Sequence, residues 1–411
     1  MRKTVVVCAV VLCATSWLGA EEFQVNVRTS GAQAKAAVAA DAEGRTVIVW
    51  SSYFSSAGRS NEIIARRFDA TGRPLGADEF QVNVVREGNQ TEPAVAANGG
   101  AFLVAWHGPG LDAEDVFAHL YDSNGIPLTA EFLVNTSAQG SQLYPSVAAG
   151  DAGTFVVVWE SRHEDQFGQI SAIRGQVFDA GAAPLGAELR IDEEIYDGRY
   201  PDVAMDAAGG FVVTWLQDRT ANAIMARRFD AAGAPTGEPF QINEIDFASI
   251  ARPSVAMSAS GDFVVTWDGD PNRASDDDVH ARCFDPNGTP RTGQFTVNTL
   301  CDGAQQWPRV AIDDANGFIV VWQHQHADPN VATDIWARRF DATGAAVGDQ
   351  FQLNGYVAGK QQSPDVAIAG DAFVAAWESN EQDGSGYGIF ALTEPWTVAD
   401  PNAVAETPPI E

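Results

Sequence analysis

Four acidic residues recur at one position relative to a short motif, and their chemistry suits a cation. Glu62, Asp115, Asp278 and Asp334 each stand three residues before the alanine of an Ala-Arg-Arg-Phe-Asp segment or a looser copy of it. Carboxylate oxygens are ligands that hard cations such as Ca²⁺ prefer. The four residues are therefore candidate calcium ligands, although no loop has EF-hand spacing. The alternative is that each acid caps its own turn or pairs with a nearby arginine such as Arg66.

Three aromatic residues occupy a second recurring position, immediately before the proline of a Pro-x-Val-Ala motif. They are Tyr144, Tyr200 and Trp307. Aromatic rings beside polar groups bind sugars, because the rings stack on apolar sugar faces while their neighbours hydrogen-bond the hydroxyls. These three are the candidate glycan-binding residues. The alternative is that they pack against the loop of a neighbouring repeat.

The sequence contains no motif of nucleophilic catalysis, so no catalytic residue is assigned. Gly-x-Ser-x-Gly, a phosphate-binding loop and His-Glu-x-x-His are all absent from it. His163, His324 and His326 follow repeat tryptophans and leave a transition-metal site open. Carboxylates are too numerous for a glycosidase pair to be chosen. The alternative to a binding function is a polysaccharide lyase or glycoside hydrolase with an active site at a channel mouth.

These residues belong to a unit that the chain repeats seven times. A tryptophan ends an apolar run at spacings of 52 to 56 residues, at Trp50, Trp106, Trp159, Trp215, Trp267, Trp322 and Trp377. A Pro-x-Val-Ala segment precedes most of these runs, and Ala-Arg-Arg-Phe-Asp and Phe-Gln-Val-Asn segments follow most of them. Each unit holds four β-branched and aromatic runs separated by Gly, Asp and Asn turns. This is the pattern of a propeller blade.

The repeats predict an all-β fold, a seven-bladed β-propeller with four-stranded blades. After Trp377 no Phe-Gln-Val-Asn segment follows, whereas residues 23–26 carry that segment alone near the start. We therefore expect this amino-terminal strand to complete the last blade and close the ring, which leaves fewer unpaired edges. The predicted divisions are a signal peptide at 1–20, the propeller at 21–394 and a flexible tail at 395–411.

The first 20 residues predict an exported protein. A basic start, an apolar run and Leu18-Gly19-Ala20 have the order of a secretory signal peptide. The expected location is therefore secreted, periplasmic or at the cell surface. No later run is long enough to insert into a membrane. Export leaves Cys283 and Cys301, which permit one disulfide in an oxidising compartment; the alternative is two unpaired thiols.

The charge balance restricts the class of partner. The chain has 55 acidic and 25 basic residues and a formal net charge of −30. Such a surface repels phosphate backbones and anionic lipids, so nucleic acid is not an expected partner. We expect a monomer that binds a glycan or an extracellular protein.

The combined pattern resembles a repeat family of large secreted bacterial proteins, many of which carry calcium-binding modules elsewhere. The closest local match runs from Trp377 through Glu-Ser-Asn-Glu-Gln-Asp-Gly-Ser-Gly-Tyr-Gly to Ile389, with Phe-Gln-Val-Asn and Pro-x-Val-Ala in each cycle. The resemblance covers residues 21–394 and implies a secreted propeller. It does not imply calcium binding, because the Gly-Gly-x-Gly-x-Asp nonapeptides of calcium β-rolls are absent.

The pattern therefore favours an exported, non-enzymatic binding or scaffold propeller. Loops from second to third strands, and from outer strands to the next first strands, share one face of such a ring. The first set of loops is long and acidic in this sequence. We expect a glycan or protein ligand on this face, with Ca²⁺ as a candidate cofactor.

Overall fold

The computed structural model describes residues 22–54, 60–76, 78–137, 139–165, 168–192, 197–217, 222–245, 247, 249–271, 276–300, 302–328 and 332–396. The predicted signal peptide, Cys301 and residues 397–411 of the predicted tail lie outside this set. Every regular element within it is a β-strand. None of the described segments is a helix of the length and hydropathy that crossing a membrane requires.

Seven antiparallel sheets follow one another along the chain as the blades of a β-propeller. Strand β1 (Phe23–Gln24) comes first. Blade 1 comprises β2 (Gln33–Ala40), β3 (Thr46–Phe54), β4 (Ser60–Phe68) and β5 (Phe80–Gln81). Blade 2 comprises β6 (Thr91–Ala97), β7 (Ala101–Pro109), β8 (Glu114–Asp122) and β9 (Phe132–Leu133). Blade 3 comprises β10 (Ser141–Ala149), β11 (Phe155–Asp165), β12 (Gly168–Phe178) and β13 (Pro184–Arg190).

The remaining blades follow the same plan. Blade 4 comprises β14 (Gly198–Met205), β15 (Phe211–Gln217), β16 (Ala223–Phe229) and β17 (Phe240–Gln241). Blade 5 has a divided first strand and comprises β18 (Ser249–Ile250), β19 (Ser254–Met257), β20 (Phe263–Asp270), β21 (Asp278–Phe284) and β22 (Phe295–Thr296). Blade 6 comprises β23 (Ala304–Ile312), β24 (Phe318–Gln325), β25 (Asp334–Phe340) and β26 (Phe351–Gln352). Blade 7 comprises β27 (Gln361–Ala369), β28 (Ala372–Asn380) and β29 (Tyr387–Pro395).

The amino-terminal strand closes the ring, as the sequence predicts. Strand β1 pairs with β29, with Phe23 opposite Ala391 and Gln24 opposite Phe390, and supplies the outer strand of blade 7. The predicted seven-bladed fold and its closure are therefore confirmed. The last strand ends at Pro395 and Trp396 is buried, so the blade continues two residues beyond the predicted limit of 394.

The core consists of seven apolar clusters, one between each pair of neighbouring blades. Second strands are apolar on both faces because each blade is covered on both sides, which explains their continuous hydrophobic runs. The repeat tryptophan of each blade lies in one of these clusters and is at most 1% exposed. Four of these indoles also donate a hydrogen bond to a first-strand glutamine: Trp50, Trp106, Trp159 and Trp322.

Asp-x-x-Gly turns join the third and outer strands on the face opposite the long acidic loops. In blade 1, Asp69 Oδ1 accepts the backbone N–H groups of Thr71 at 2.9 Å and Arg73 at 3.0 Å. Gly72 has a φ of +77°, a conformation that favours glycine. Asp69 therefore caps its own turn.

Candidate functional site

A bulge in the first strand of six blades turns one side chain toward the central axis. In each of these blades the register between the first and second strands shifts at one residue. This residue precedes the proline of the Pro-x-Val-Ala motif or, in blade 1, Ala36. These residues have φ angles between +50° and +58°: Lys35, Glu92, Tyr144, Tyr200, Trp307 and Ser363. Arg252 takes the same position in blade 5, where the first strand is interrupted. Bulges redirect side chains, so each blade presents one residue to the centre.

The strained bulges are held by the preceding blade. In four blades the side chain of the residue after the repeat tryptophan accepts the backbone N–H of the bulge residue in the next blade. Glu378 accepts from Lys35 at 2.8 Å, Glu160 from Tyr200 at 3.1 Å, and Asp268 from Trp307 at 3.3 Å. These buried acids of the predicted acidic face thus have a positioning role.

The seven residues surround a central cavity of about 300 Å³. We call them the mouth ring: Lys35, Glu92, Tyr144, Tyr200, Arg252, Trp307 and Ser363. The structure therefore brings the three predicted glycan-binding residues together at one site. Sequence reasoning missed the other four members, although they share the position before proline or, for Lys35, its equivalent. That shared position in the repeat is the signal that could have found them.

The three aromatic residues have different environments. Tyr144 and Tyr200 meet edge to face, with ring centroids 5.0 Å apart. The guanidinium of Arg252 lies 4.2 Å from the centroid of Tyr200 and 5.1 Å from that of Tyr144. Trp307 is 42% exposed. The guanidinium thus occupies space over both tyrosines. Lys35 Nζ lies 5.9 Å from the centroid of Trp307, and the remaining exposed part of this indole is the surface available for stacking.

Several polar groups of the mouth ring have no partner within the described residues. The Tyr144 and Tyr200 hydroxyls make no hydrogen bond there, and Arg252 makes neither a hydrogen bond nor an ion pair. By contrast, Lys35 and Glu92 pair with each other at 3.2 Å. The mouth ring therefore combines an open indole with unused donors, which is the arrangement that polar ligands require.

Deeper in the cavity the charged groups are engaged. Asp202 accepts hydrogen bonds from the Ser146 hydroxyl at 2.7 Å and the Val255 N–H at 2.9 Å. Asp365 accepts from the Val38 N–H at 2.8 Å and lies 3.8 Å from Arg309. Burial raises the pKa of Asp365 to about 6, against the opposing charge of Arg309. These contacts join first strands of neighbouring blades and stiffen the cavity wall.

The candidate calcium ligands lie in four different blades and do not meet. Each carboxylate instead accepts a hydrogen bond from the asparagine that ends the outer-strand motif of its blade. The distances are 2.5 Å for Glu62, 2.8 Å for Asp115, 2.7 Å for Asp278 and 2.8 Å for Asp334. No group of three or more His, Cys, Asp or Glu side chains among the described residues is placed to hold a metal. Calcium binding stays a prediction.

The asparagine partners explain why this position recurs. Asn135 Oδ1 accepts the backbone N–H of Val116 at 2.8 Å, while its Nδ2 donates to Asp115. The asparagine thus ties the outer strand to the third strand. The arginines suggested as alternative partners bind elsewhere, since Arg66 Nη1 donates to the carbonyl of Val25 at 2.8 Å. Arg282 makes the equivalent contact with Ile242 at 2.8 Å.

The histidines contribute little to the cavity. His107, His119, His280 and His324 are buried, and no described histidine lines the cavity. Burial lowers the pKa of His107, and its Nδ1 accepts the Tyr144 N–H at 3.3 Å. His326 pairs with Asp334 at 3.0 Å. Cys283 is buried between blades 5 and 6; its predicted partner Cys301 lies outside the described residues.

Ionisation of Asp268 should make the stability of the folded protein depend on pH. Burial, and secondarily the charge of Asp277, raises the pKa of Asp268 to about 7, from 3.8. Between these values the folded protein binds more protons than the unfolded chain, so stability falls as pH rises through this window. Asp268→Asn keeps an oxygen for the Trp307 N–H. We expect it to stabilise the protein at pH 8 by up to about 4 kcal/mol, and little at pH 4.

Denaturant unfolding at pH 4, 6 and 8 measures this effect. Asp69→Asn is the matched control, because hydrogen bonds in its exposed turn lower the pKa of Asp69 and asparagine still caps the turn. The control should show no gain at pH 8. An equal effect of Asp268→Asn at all three pH values would contradict the assignment.

Comparisons with known proteins are consistent with this architecture. No protein-family profile matches the chain, and no curated protein matches it. The chain is similar to a crystal structure of a protein of unknown function from Dyadobacter fermentans DSM 18053, with a TM-score of 0.56 and 10% identity, covering 92% of this chain and 99% of that one. A subtype N11 neuraminidase-like protein of A/flat-faced bat/Peru/033/2010 (H18N11) has a TM-score of 0.49 and 11% identity, covering 91% and 90%.

Likeness at such low identity bears on architecture and not on activity. The match to the Dyadobacter protein extends over nearly the whole of both chains. It does not confirm the secreted repeat family that the sequence resembles. The chain is a seven-bladed, all-β propeller whose blades each present one residue to a central cavity.

Proposed function

We propose that this propeller is a non-enzymatic binding protein that holds a glycan at the mouth ring. The observation that carries the proposal is that one cavity is lined by the partly exposed indole of Trp307 and by Tyr144 and Tyr200, whose hydroxyls have no hydrogen bond within the described residues. A sugar ring has apolar faces and a polar rim, so it needs a stacking surface and donors together. The cavity supplies both.

The same geometry gives less support to a lyase or hydrolase. Acid–base chemistry needs a titratable group within reach of substrate and free to exchange a proton. Asp202 and Asp365 are held by backbone and side-chain partners in the cavity wall. Glu92 is paired with Lys35. The carboxylates of the cavity therefore support its shape better than they support proton transfer.

The setting of this function is also a proposal. Export to the cell surface, periplasm or medium, a monomeric state and a Ca²⁺ cofactor are expectations from the sequence alone. An extracellular protein is the alternative ligand, and it would use the acidic loops around the same mouth.

Trp307→Ala tests the proposed function. Glycan arrays identify a bound sugar, and calorimetry then compares the affinities of variants for it. Loss of the stacking surface should weaken binding by about 10- to 30-fold. Trp307→Phe should retain part of the affinity, because it keeps an aromatic face.

A remote substitution serves as the control. Leu128 is 54% exposed in the turn between β8 and β9, on the opposite face of the propeller. Leu128→Ala should bind as the wild type does. The proposal fails if no glycan binds, or if binding survives Trp307→Ala unchanged.

A further inference from the structure

Arg252 is a fixed cation with unused donors. It lies in the mouth ring between β18 and β19, over the rings of Tyr200 and Tyr144. Within the described residues it makes no hydrogen bond and no ion pair. A guanidinium has five N–H donors in a planar fork, and stacking on aromatic rings restricts its orientation. Arg252 is therefore ordered without a carboxylate partner, which leaves its donors free for a ligand.

No other charged group of the cavity among the described residues pairs with Arg252, and the other cations of the cavity have partners of their own. Lys35 is occupied by Glu92, and Arg309 lies beside Asp365. The buried carboxyl of Asp268 feels the charge of Arg252 but makes no ion pair with it, and its pKa of about 7 leaves it partly neutral at neutral pH. Arg252 is thus the mouth-ring cation whose charge is least compensated in the described part of the chain.

A planar anion is the group that fits this cation best. Carboxylates accept two parallel N–H bonds from a guanidinium, which gives both strength and orientation. The chain as a whole has a formal charge of −30, so it does not attract anions indiscriminately. Binding of an anion here requires a local site of this kind.

Arg252 and Trp307 occupy equivalent positions in blades 5 and 6, which are neighbours in the ring. A ligand that spans both needs an apolar ring face and a carboxylate attached to the same unit. A hexuronic acid residue of an oligosaccharide has this combination.

We infer that the mouth ring binds a carboxylated glycan, with a hexuronic acid ring stacked on Trp307 and its carboxylate paired to Arg252. This inference rests on the proposed glycan-binding function and names its ligand class. Tyr144 and Tyr200 position Arg252, and the hydroxyls of these two tyrosines hydrogen-bond the sugar.

Matched charged and neutral probes test the inference on the whole protein. Hexasaccharides of polygalacturonate, alginate and hyaluronan are compared by calorimetry with the same oligosaccharides after carboxyl reduction. At least one acidic probe should bind, and its reduced form should bind about 10- to 100-fold more weakly. Arg252→Gln should lower the affinity for the acidic probe by a similar factor and remove the difference between the two forms.

Two further variants separate charge from geometry. Arg252→Lys keeps the charge but loses the planar fork, so it should recover only part of the affinity. Arg73→Gln makes the same charge change in an exposed turn on the opposite face and should leave binding unaltered. Thermal unfolding confirms that each variant is folded.

The outcomes distinguish the two levels of the proposal. Equal binding of acidic and reduced probes, with both weakened by Trp307→Ala, would overturn the uronate inference and leave glycan binding intact. Absence of binding to every acidic and neutral glycan would overturn both. Loss of acid selectivity in Arg252→Gln, with Arg73→Gln unchanged, supports the inference.

Discussion

Removal of residues 22–27 should destabilise the propeller more than any substitution in the mouth ring, because it opens the ring. Strand β1 completes blade 7, and the two residues that follow it, Val25 and Asn26, are buried. Asn26 Oδ1 accepts the Ile389 N–H at 2.8 Å, and Arg66 donates to the Val25 carbonyl at 2.8 Å. Burial of Val25 alone contributes about 1.5–3 kcal/mol, and the deletion also exposes the edge of β29.

Denaturant unfolding of the truncated and full-length chains measures the loss. A matched rescue restores the strand at the other end, since β1 runs antiparallel to β29. In this variant a copy of residues 341–350 follows residue 396, and residues 22–27 follow that copy. Residues 341–350 are the segment that joins the third and outer strands in blade 6. Recovery of the midpoint would show that the strand matters for closing the ring. A truncated chain as stable as the full-length protein would refute the role of β1.

Trp322→Ala should cost about 3–5 kcal/mol of unfolding free energy, within the range for large buried aromatic residues. The side chain is 0% exposed and packs in the cluster between blades 5 and 6. Its Nε1 donates to Gln305 Oε1 at 2.8 Å, so truncation also leaves a buried amide oxygen without its donor. A cavity and an unsatisfied acceptor then add to the lost burial.

The exposed Trp307 provides the comparison for this prediction. Trp307→Ala removes the same side chain at a site that is 42% exposed, so its cost should be well below that of Trp322→Ala. Denaturant unfolding of both variants under one condition decides the matter. Equal losses would contradict the division of tryptophans into core and ligand-facing residues.

The seven-bladed fold could be predicted because its determinants are local and repeated. Apolar runs, Asp-x-x-Gly turns and the recurring tryptophan specify four strands within each unit, and seven copies specify the ring. The missing outer strand after Trp377 and the lone motif at residues 23–26 even specify how the ring closes. The three aromatic candidates could also be identified, because each immediately precedes the proline of the recurring Pro-x-Val-Ala motif.

The roles of the acids could not be predicted in the same way. Glu62 and Asn83 are far apart in the sequence, and only the pairing of the outer strand shows that the amide lies 2.5 Å from the carboxylate. The recurring acids therefore predict a cation site as readily as a side-chain clamp. The acid and its asparagine are 20 or 21 residues apart in all four pairs, but this constant spacing does not by itself show that the two side chains meet.

The sequence alone determined the blade, the number of blades and the strand that closes the ring, since each depends on periodicity and turn chemistry along the chain. Only the tertiary structure decided which side chains meet at the centre. Arg252 reaches Tyr144 and Tyr200 because closure of the ring places equivalent positions of successive blades side by side. Contacts between such distant residues depend on through-space geometry, which no local pattern encodes.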